Sequence, residues 1–291
     1  TTGWGRYGSP LFQSTLLKLD RYFNVQHDLA TAYEVSEDGL EWTVKIRQDA
    51  LFSDGESLTA DDVIFTFETA KNAASVIDLQ NLIKLEKISD YEVKFILEKP
   101  QSTFIYMLTT LGIVPKHAYS DNYNEYPIGS GPFQLVQWDK GQQLIVEQNP
   151  YYYAEKPQFK RLIFLFLEED AAFLAAKAGE VDIVAVPANL AKEEVPGMKL
   201  LTFESVDNRG IMFPYVEPYV DSETGLQIGN AVTSDVAIRK AINIAIDREK
   251  LVTDVLEGFG TPAYSIADQL PWWNEETVIE DGDLEKADKI L

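Results

Sequence analysis

The chain reads Trp42-Thr43-Val44-Lys45-Ile46-Arg47, then Phe52-Ser53-Asp54-Gly55, then Leu58-Thr59-Ala60-Asp61-Asp62-Val63. Apolar and polar residues alternate in the first segment, which predicts a half-buried strand. The Asp-Gly pair of the second segment predicts a tight turn. In the third segment, the Thr59 hydroxyl can accept a hydrogen bond from the Asp62 amide while the Asp62 side chain reaches back, as in a capping box. Together these segments predict a strand, a turn and the start of a helix.

Antiparallel-sheet patterns extend outward from these segments as far as about residue 150. Alternation predicts a strand over residues 91–97. Two further strands are predicted over residues 133–138 and 144–147, on either side of the turn signal Asp139-Lys140-Gly141. Residues 24–150 are therefore predicted to form mainly antiparallel sheet with added helices.

The pattern changes near residue 160. The continuous apolar run over residues 162–167 predicts a strand that is covered on both faces. A helix over residues 170–178, closed by Gly179, and a strand over residues 181–186 follow it. This order predicts a right-handed βαβ unit. Two later helices are predicted, one with Ser234 as its N-cap and one over residues 248–256.

Composition excludes several functional classes. The 291 residues carry 25 basic and 47 acidic side chains, so the formal net charge is −22. A protein this acidic repels phosphate backbones, and nucleic acid is excluded as a partner. The absence of cysteine excludes thiolate metal sites, disulfides and cysteine nucleophiles. The first residues do not read as a signal peptide, and an amphipathic pattern runs to the last residue without a cap. We therefore expect a chain cut from a longer protein.

The residues predict no catalytic centre, metal site or cofactor. His27 and His117 stand far apart and outside any H-E-x-x-H pattern. Gly129-Ser130-Gly131-Pro132 does not fit G-x-S-x-G and is interpreted as a tight turn. The many paired carboxylates are interpreted as solvated faces and first turns of helices, because pairs arise by chance in so acidic a chain.

Aromatic residues beside glycine or proline are the remaining candidates for ligand contact. Trp4 and Tyr7 stand in a loop, where they can line a ligand cleft or fill the space between domains. For the triple tyrosine 151–153 and for Trp272-Trp273, the proline and aromatic neighbours favour packing.

In their order along the chain, these segments resemble the family 5 extracytoplasmic solute-binding proteins, which are peptide- and nickel-binding subunits of ABC importers. The three opening segments match the signature of that family. Further matches follow in the same order: Pro127-Ile128-Gly129-Ser130-Gly131-Pro132-Phe133, Asn149-Pro150-Tyr151-Tyr152, Ala178-Gly179-Glu180-Val181-Asp182-Ile183, Ala237-Ile238-Arg239-Lys240-Ala241-Ile242 and Ala245-Ile246-Asp247-Arg248.

The resemblance implies an α/β fold of the type II periplasmic-binding-protein class. Residues 1–22 and 152–245 would form a discontinuous α/β domain I, and residues 23–151 a β-rich domain II inserted in it. Residues 246–291 would begin a truncated domain III. The chain would thus hold one lobe, with the second lobe mostly absent.

The resemblance also implies a non-enzymatic function. A small solute, either an oligopeptide or a nickel or metal chelate, would be held in the cleft between lobes by hinge closure and delivered to ABC permease subunits. The protein would be a monomer outside the cytoplasm, either periplasmic or a lipid-anchored lipoprotein. A chain with one lobe would bind its solute weakly or not at all, because closure needs contacts to both lobes.

The same resemblance indicates five solute-contacting residues. Trp4, Arg6 and Tyr7 belong to the N-terminal loop that lines the cleft in nickel-binding relatives. Gln148 stands where relatives that bind anionic chelates have arginine, so Arg6 or Arg209 would have to anchor a carboxylate. Arg209 precedes a predicted inner strand over residues 210–213, and its interpretation as a surface or interdomain salt bridge is somewhat favoured because arginine often serves that way.

Two alternative functions stay open. An ectodomain sensor or chaperone of the same fold would bind a partner protein and would not feed a permease. A hydrolase is less favoured, because it would need a nucleophile or an acid pair that the sequence does not predict.

Overall fold

A computed structural model describes residues 11–73, 77–203, 207–268, 270 and 272–291. The chain divides into two compact units, one ending at Phe166 and the other beginning at Leu167. The three-domain scheme with boundaries near residues 22, 151 and 245 is not tested by this division and stays a prediction. The two units are described separately.

The first unit contains two antiparallel sheets and a short β-pair. Its strands are β1 Leu17–Leu19, β2 Val25–His27, β3 Ala30–Val35, β4 Glu41–Ile46, β5 Leu82–Ser89, β6 Glu92–Leu97, β7 Phe133–Asp139, β8 Gln143–Gln148 and β9 Arg161–Leu165, and its helices are α1 Ala60–Asn72 and α2 Phe104–Thr110. The sheet orders are β3-β4-β6-β5 and β7-β8-β9, and β1 pairs with β2. The predicted strands up to residue 148 are confirmed.

The core of the first unit lies between the four-stranded sheet and the two helices. On β4, Trp42, Val44 and Ile46 are buried while Lys45 is exposed, so the alternation seen in the sequence is confirmed. Phe95 of β6 lies opposite Trp42, and its ring packs edge-on against Phe67 of α1 with centroids 5.0 Å apart. This interlocking of aromatic side chains fixes α1 on the sheet.

The capping box at the start of α1 is present as predicted. The Asp62 carboxylate accepts a hydrogen bond from the Thr59 amide at 2.9 Å. Its other oxygen accepts from the Lys116 amide, also at 2.9 Å, and the residue is only 5% exposed. Asp62 therefore both caps the helix and holds the segment after α2 against it.

The second unit contains short helices and one two-stranded β-pair, and most of its described residues lie outside regular elements. Its elements are α3 Glu169–Lys177, α4 Ala188–Ala191, β10 Tyr219–Val220, β11 Gln227–Ile228, α5 Val236–Ala245, α6 Arg248–Asp254, a 3-10 turn Glu275–Thr277 and α7 Leu284–Asp288. The predicted helices α3, α5 and α6 are confirmed. Gly179 ends the first of them with a φ of 74°, a conformation that glycine adopts without a steric penalty.

The N-cap prediction for α5 was wrong by one residue. Asp235 is the N-cap, and its carboxylate accepts from the Ala237 amide at 2.7 Å. The Ser234 hydroxyl instead donates to Glu217 at 2.8 Å. A carboxylate competes well for this position because it also interacts favourably with the helix dipole.

The predicted βαβ unit does not form among the described residues. Residues 181–186 are not a strand, and Ile183 is 82% exposed. The predicted strand over residues 210–213 is also absent, with Met212 94% exposed. A strand exists only where another segment satisfies its backbone groups, and no described segment pairs with either run. The apolar run that begins at Leu162 does form β9, but the expected cover on both of its faces was wrong, as Ile163 and Phe164 are exposed.

Candidate functional site

Three of the five predicted solute-contacting residues cannot be placed. Trp4, Arg6 and Tyr7 lie outside the described residues, so their roles stay predictions. The other two occupy different units: Gln148 ends β8 in the first unit, and Arg209 lies in the second. Each is described in its own surroundings.

Gln148 is half-buried and held by the neighbouring loop. It lies opposite Phe133 on β7, and its backbone amide donates to the Lys160 carbonyl at 2.9 Å. Its side-chain amide donates to the Pro157 carbonyl. The side chain is therefore positioned by a backbone acceptor, and it presents a neutral amide where an arginine would carry a positive charge.

Arg209 is an exposed cation with an acidic neighbour. Its side chain is 73% exposed, and its Nε lies 3.5 Å from a carboxylate oxygen of Asp207. The next residue, Asn208, donates to the Ser265 carbonyl at 2.6 Å and ties this segment to a later loop. The surface salt bridge that was one interpretation of Arg209 is present, and anchoring of a solute carboxylate stays a prediction.

Asn149, the first residue of the Asn149–Tyr152 motif, is buried and hydrogen-bonds to the Gly129–Pro132 segment. Only 1% of the residue is exposed. The side-chain nitrogen of Asn149 donates to the Gly131 carbonyl at 2.9 Å, and its side-chain oxygen accepts from the Tyr151 backbone amide at 3.0 Å. The Ser14 hydroxyl donates to the Ser130 carbonyl in the same segment at 3.0 Å. The Gly129–Pro132 segment is thus a packed bend; the amides of Gly131 and Phe133 donate to the Phe12 and Leu11 carbonyls and do not close the predicted tight turn.

Tyr151 lies against a third motif, the Phe52–Gly55 turn after β4. Gly55, in the turn after β4, has a φ of 90°, and a Cβ built there would lie 3.4 Å from Cζ of Tyr151. The Ser53 amide of that turn donates to the Gly129 carbonyl at 2.9 Å. Three motifs that are far apart in sequence therefore meet in the structure.

Tyr153 anchors the tyrosine run to the four-stranded sheet. Its hydroxyl donates to Asp28 at 2.7 Å, and the Arg47 guanidinium lies 3.9 Å from the centre of its ring. Burial, together with the negative charge of Asp28, raises the pKa of Tyr153 well above its usual value. The interpretation of this run as packing is confirmed for Tyr153. Sequence reasoning did not find the partners Asp28 and Arg47, because no local pattern links them to residue 153.

The described residues contain no group of three or more histidine, aspartate or glutamate side chains placed to hold a metal ion. His117 Nε2 lies 2.8 Å from a carboxylate oxygen of Asp54, and the Phe52 ring packs edge-on against the imidazole at 5.8 Å. This pair joins the turn after β4 to the segment after α2. Within the part of the chain that the structure describes, no helix is long and apolar enough to cross a membrane.

Comparison with known proteins identifies the family. Residues 24–291 match the family described as "Bacterial extracellular solute-binding proteins, family 5 Middle". The chain belongs to this family. The resemblance that the sequence motifs indicated is thereby confirmed.

Curated relatives of this family 5 chain include two bacterial proteins at similar distance. Protein XP55 of Streptomyces lividans is 31% identical over 303 residues, covering 99% of this chain and 53% of the relative. The oligopeptide-binding protein AppA of Bacillus subtilis is 31% identical over 280 residues, covering 90% of this chain and 49% of the relative. The chain spans about half the length of the curated relatives it matches.

Solved structures confirm the fold of this family 5 chain. NikZ from Campylobacter jejuni, in complex with Ni(L-His), is 27% identical with a TM-score of 0.84, covering 96% of this chain and 57% of that one. AppA from Bacillus subtilis, in complex with a nonapeptide, is 28% identical with a TM-score of 0.74 and the same coverage. The prediction of a type II periplasmic-binding-protein fold, with about one lobe present, is confirmed.

Proposed function

We propose that this chain is part of the solute-binding subunit of an ABC importer that takes up oligopeptides or nickel-chelate-like solutes. The observation that carries the proposal is the family match over residues 24–291. It is supported by the similarity to NikZ with Ni(L-His) and to AppA with a nonapeptide. The solute is bound and released chemically unchanged.

The proposed solute contacts are Trp4, Arg6, Tyr7, Gln148 and Arg209. Gln148 can offer hydrogen bonds but no charge, because its side chain is a neutral amide. Arg209 can offer a guanidinium that Asp207 partly neutralises at 3.5 Å. The net charge of −22 disfavours the approach of anionic solutes at long range. This combination favours solutes that are neutral or cationic overall, such as peptides without excess carboxylates.

Hinge closure is the proposed mechanism of capture. A solute shifts an open–closed equilibrium only through contacts that differ between the two states, and these contacts must come from both lobes. The chain covers 57% of the NikZ chain that it resembles. We therefore expect the 291-residue chain to bind solute more weakly than the protein at the full length of its relatives.

The remaining elements of the proposal concern location and partners. The family is extracellular by description. We propose a monomer that works in the periplasm or is lipid-anchored on the outer face of the cytoplasmic membrane, and that docks on ABC permease subunits. The permease partner distinguishes this proposal from a sensor or chaperone of the same fold.

The test is to identify the solute that the protein carries through purification. The full reading frame would be expressed, and native mass spectrometry would be run before and after mild unfolding to release a bound molecule. A released peptide or nickel chelate of unchanged mass is expected. Peptides that are cleaved on incubation with the protein would contradict a non-catalytic role, and stable capture of a protein without any small solute would favour a sensor or chaperone.

Calorimetry on two lengths of the protein tests the mechanism. The probes are a defined nonapeptide and NiCl2 with L-histidine, titrated into the full-length protein and into the 291-residue chain. We expect binding to be lost or much weaker in the shorter chain. Equal affinities would contradict capture between two lobes. Gln148→Ala is expected to weaken binding to the full-length protein, while Arg21→Ala, on the exposed turn between β1 and β2, is the matched control.

A further inference from the structure

A groove of about 350 Å³ opens on the first unit. Residues 125–128 form its loop wall, and residues 134–138 of β7, with Lys140 in the turn that follows, form its strand wall. Gln148 and Arg209 are not among the described residues that line it. The volume lies within the range of about 300–1,000 Å³ that small-molecule sites occupy. The groove can therefore hold a small guest without contact to either of these two residues.

Hydrogen bonds hold the loop wall in one conformation. The Tyr123 hydroxyl donates to the Ile128 carbonyl at 2.6 Å and accepts from the Gln13 side-chain amide at 3.0 Å. The Tyr126 backbone amide donates to the Asn122 carbonyl at 3.2 Å. Tyr123 itself is only 7% exposed, so burial adds to these bonds. A guest therefore meets a preformed wall, which lowers the entropic cost of binding.

The strand wall contains the β-bulge of β7. Its register with β8 shifts between Leu135 and Gln137, so no β8 residue lies opposite Val136. Val136 lines the groove and is 47% exposed. A bulge breaks the regular backbone ladder and makes the addition of an extended peptide strand to this edge unfavourable. Side chains, and not a backbone ladder, must therefore recognise a guest in the groove.

Each wall carries one exposed aromatic side chain. Tyr126 of the loop wall is 71% exposed, and Trp138 of the strand wall is 40% exposed. Neither the Tyr126 hydroxyl nor the Trp138 indole N–H forms a hydrogen bond with another described residue. Exposed rings of this kind offer a large contact area at a low entropic cost, and each has a polar group at its edge. They suit a guest with an apolar face and a polar rim.

The charged groups of the groove neutralise each other. Glu125 and Lys140 are the charged residues among those described in its lining, and they form an ion pair that bridges the two walls. The Lys140 ammonium also lies 5.5 Å from the centre of the Trp138 ring. On the strand wall, the Gln137 side-chain nitrogen donates to Asp139 at 2.8 Å, which fixes the orientation of this amide. Hydroxyl groups both donate and accept, so these polar groups suit a neutral guest that carries several hydroxyls.

We propose that the groove binds a neutral pyranose sugar, as a monosaccharide or as one unit of a disaccharide. The C–H face of such a ring is apolar and packs against aromatic faces, here those of Tyr126 and Trp138. Its hydroxyls reach the Gln137 amide and the Glu125–Lys140 pair, which together supply donors and acceptors. The site and its guest are independent of the solute-binding function proposed above.

Two other classes of guest fit the groove less well. An anionic sugar is disfavoured because Lys140 is already paired with Glu125 and the chain carries a net charge of −22. A proline-rich peptide also binds to aromatic-lined grooves, but the Glu125–Lys140 pair bridges the walls and obstructs a continuous chain. A single sugar unit needs no such passage.

Saturation-transfer difference NMR on the purified protein tests the proposal. The probes are maltose and cellobiose, two neutral disaccharides of glucose. We expect transfer to their ring protons and weak, millimolar binding, because a guest this small gains little beyond the cost of its immobilisation. Trp138→Ala and Tyr126→Ala should each weaken binding about tenfold, since each removes one ring face.

Matched variants separate the groove from the rest of the surface. Tyr22→Ala is the control, because Tyr22 is 67% exposed on the turn between β1 and β2 and is not part of the lining. Trp138→Phe should retain most of the binding, because it keeps a ring face. Val136→Trp should abolish transfer, because a large side chain at this exposed position fills the groove. Thermal unfolding checks that each variant is folded.

Three results would overturn the proposal. Transfer that is equal in the wild type, Trp138→Ala and Tyr126→Ala would mean that the sugar binds elsewhere. Lack of transfer to both disaccharides would mean that the groove binds no neutral sugar of this kind. Binding of an Ala-Pro repeat peptide that Trp138→Ala abolishes, without binding of either sugar, would assign the groove to a peptide.

Discussion

The hydroxyl of Tyr153 donates a 2.7 Å hydrogen bond to the carboxylate of Asp28, a residue 125 positions earlier in the chain. Lys18 lies 3.7 Å from the same carboxylate, and the Arg47 guanidinium covers the tyrosine ring. This contact joins the loop after β8 to the turn between β2 and β3. The phenol of Tyr153 is half-buried, so this hydrogen bond is partly shielded from water.

Tyr153→Phe tests the energetic contribution of that hydrogen bond. The substitution keeps the ring and the cation–π contact but leaves the largely buried Asp28 without its phenol donor. We expect a loss of about 1.5–3 kcal/mol, the range for hydrogen bonds to charged groups. The measurement is urea unfolding of the purified chain followed by tryptophan fluorescence. Tyr22→Phe, at an exposed tyrosine, is the control and should change stability by less than about 0.5 kcal/mol.

Alkaline pH should destabilise the first unit through its buried tyrosines. Burial raises the pKa of Tyr123 to about 12 and also raises the pKa of Tyr153. An unfolded tyrosine ionises near pH 10, so the unfolded chain loses these protons first. The stabilisation is therefore complete below about pH 10 and declines as pH rises toward the folded pKa values.

The measurement is the midpoint of urea unfolding between pH 8 and pH 11.5, a range chosen to span the ordinary tyrosine pKa of about 10. Tyr153→Phe should flatten the alkaline decline, because one raised pKa is removed. An unchanged slope in that variant would show that Tyr153 ionises no differently in the folded and unfolded states.

Asp62 and Asp61 offer a matched pair of neighbours with different roles. Asp62 is buried and accepts from the Thr59 and Lys116 amides, whereas Asp61 is half-exposed and pairs with Lys87 at 2.6 Å. Asp62→Ala should cost about 1–3 kcal/mol, because a cap is lost and a buried donor is left unsatisfied. Asp61→Ala should cost about 0–1 kcal/mol, the range of surface ion pairs. Equal losses in the two variants would refute the capping role.

Gly129 should tolerate no side chain. A Cβ at this position would lie 1.9 Å from the Phe12 carbonyl oxygen, so the backbone of one segment would have to move. Gly129→Ala should lower the unfolding temperature strongly or prevent folding, since overpacking against backbone costs about 1–3 kcal/mol or more. Gly210→Ala is the control, because no atom lies within 4 Å of a Cβ built there. Differential scanning fluorimetry of both variants measures the difference.

The capping box, the alternating strands and the Gly179 helix end could be predicted because each depends on residues a few positions apart. The contact between Tyr153 and Asp28 could not, because it depends on tertiary packing across 125 residues. The predictions for residues 181–186 and 210–213 failed for a related reason. Their sequences suit strands, but a strand also needs a partner segment, and no described residue supplies one.

At the candidate site too, the local motifs predicted the fold better than the function. The motifs around Gly55, Gly129 and Asn149 identified the family, yet in the structure they form a packed junction. Motif residues of this kind preserve the fold and say little about the solute. The proposed solute contacts Gln148 and Arg209 stand outside any strong pattern, so the sequence indicates them through resemblance only.

Arg248 is expected to be the most sensitive charged residue of the second unit. It forms an ion pair with Asp281 at 2.6 Å, and the two side chains are only 16% and 10% exposed. Its Nε donates to the Ala263 carbonyl at 2.9 Å, and its guanidinium lies 4.9 Å from the centre of the Tyr264 ring. The planar guanidinium thus joins α6 to two later loops in a way that a single ammonium group cannot reproduce.

Arg248→Lys should therefore destabilise the second unit by about 1–3 kcal/mol despite keeping the charge, because the Ala263 carbonyl loses its donor and the ring contact weakens. Hydrogen exchange with mass spectrometry should show faster exchange in α6 and in the loops near Ala263 and Asp281, with no change in β4 or β6. Lys192→Arg is the control, since Lys192 forms an exposed pair with Glu257. Protection that stays unchanged around Ala263 would mean that the charge of Arg248 alone, and not its geometry, holds these loops.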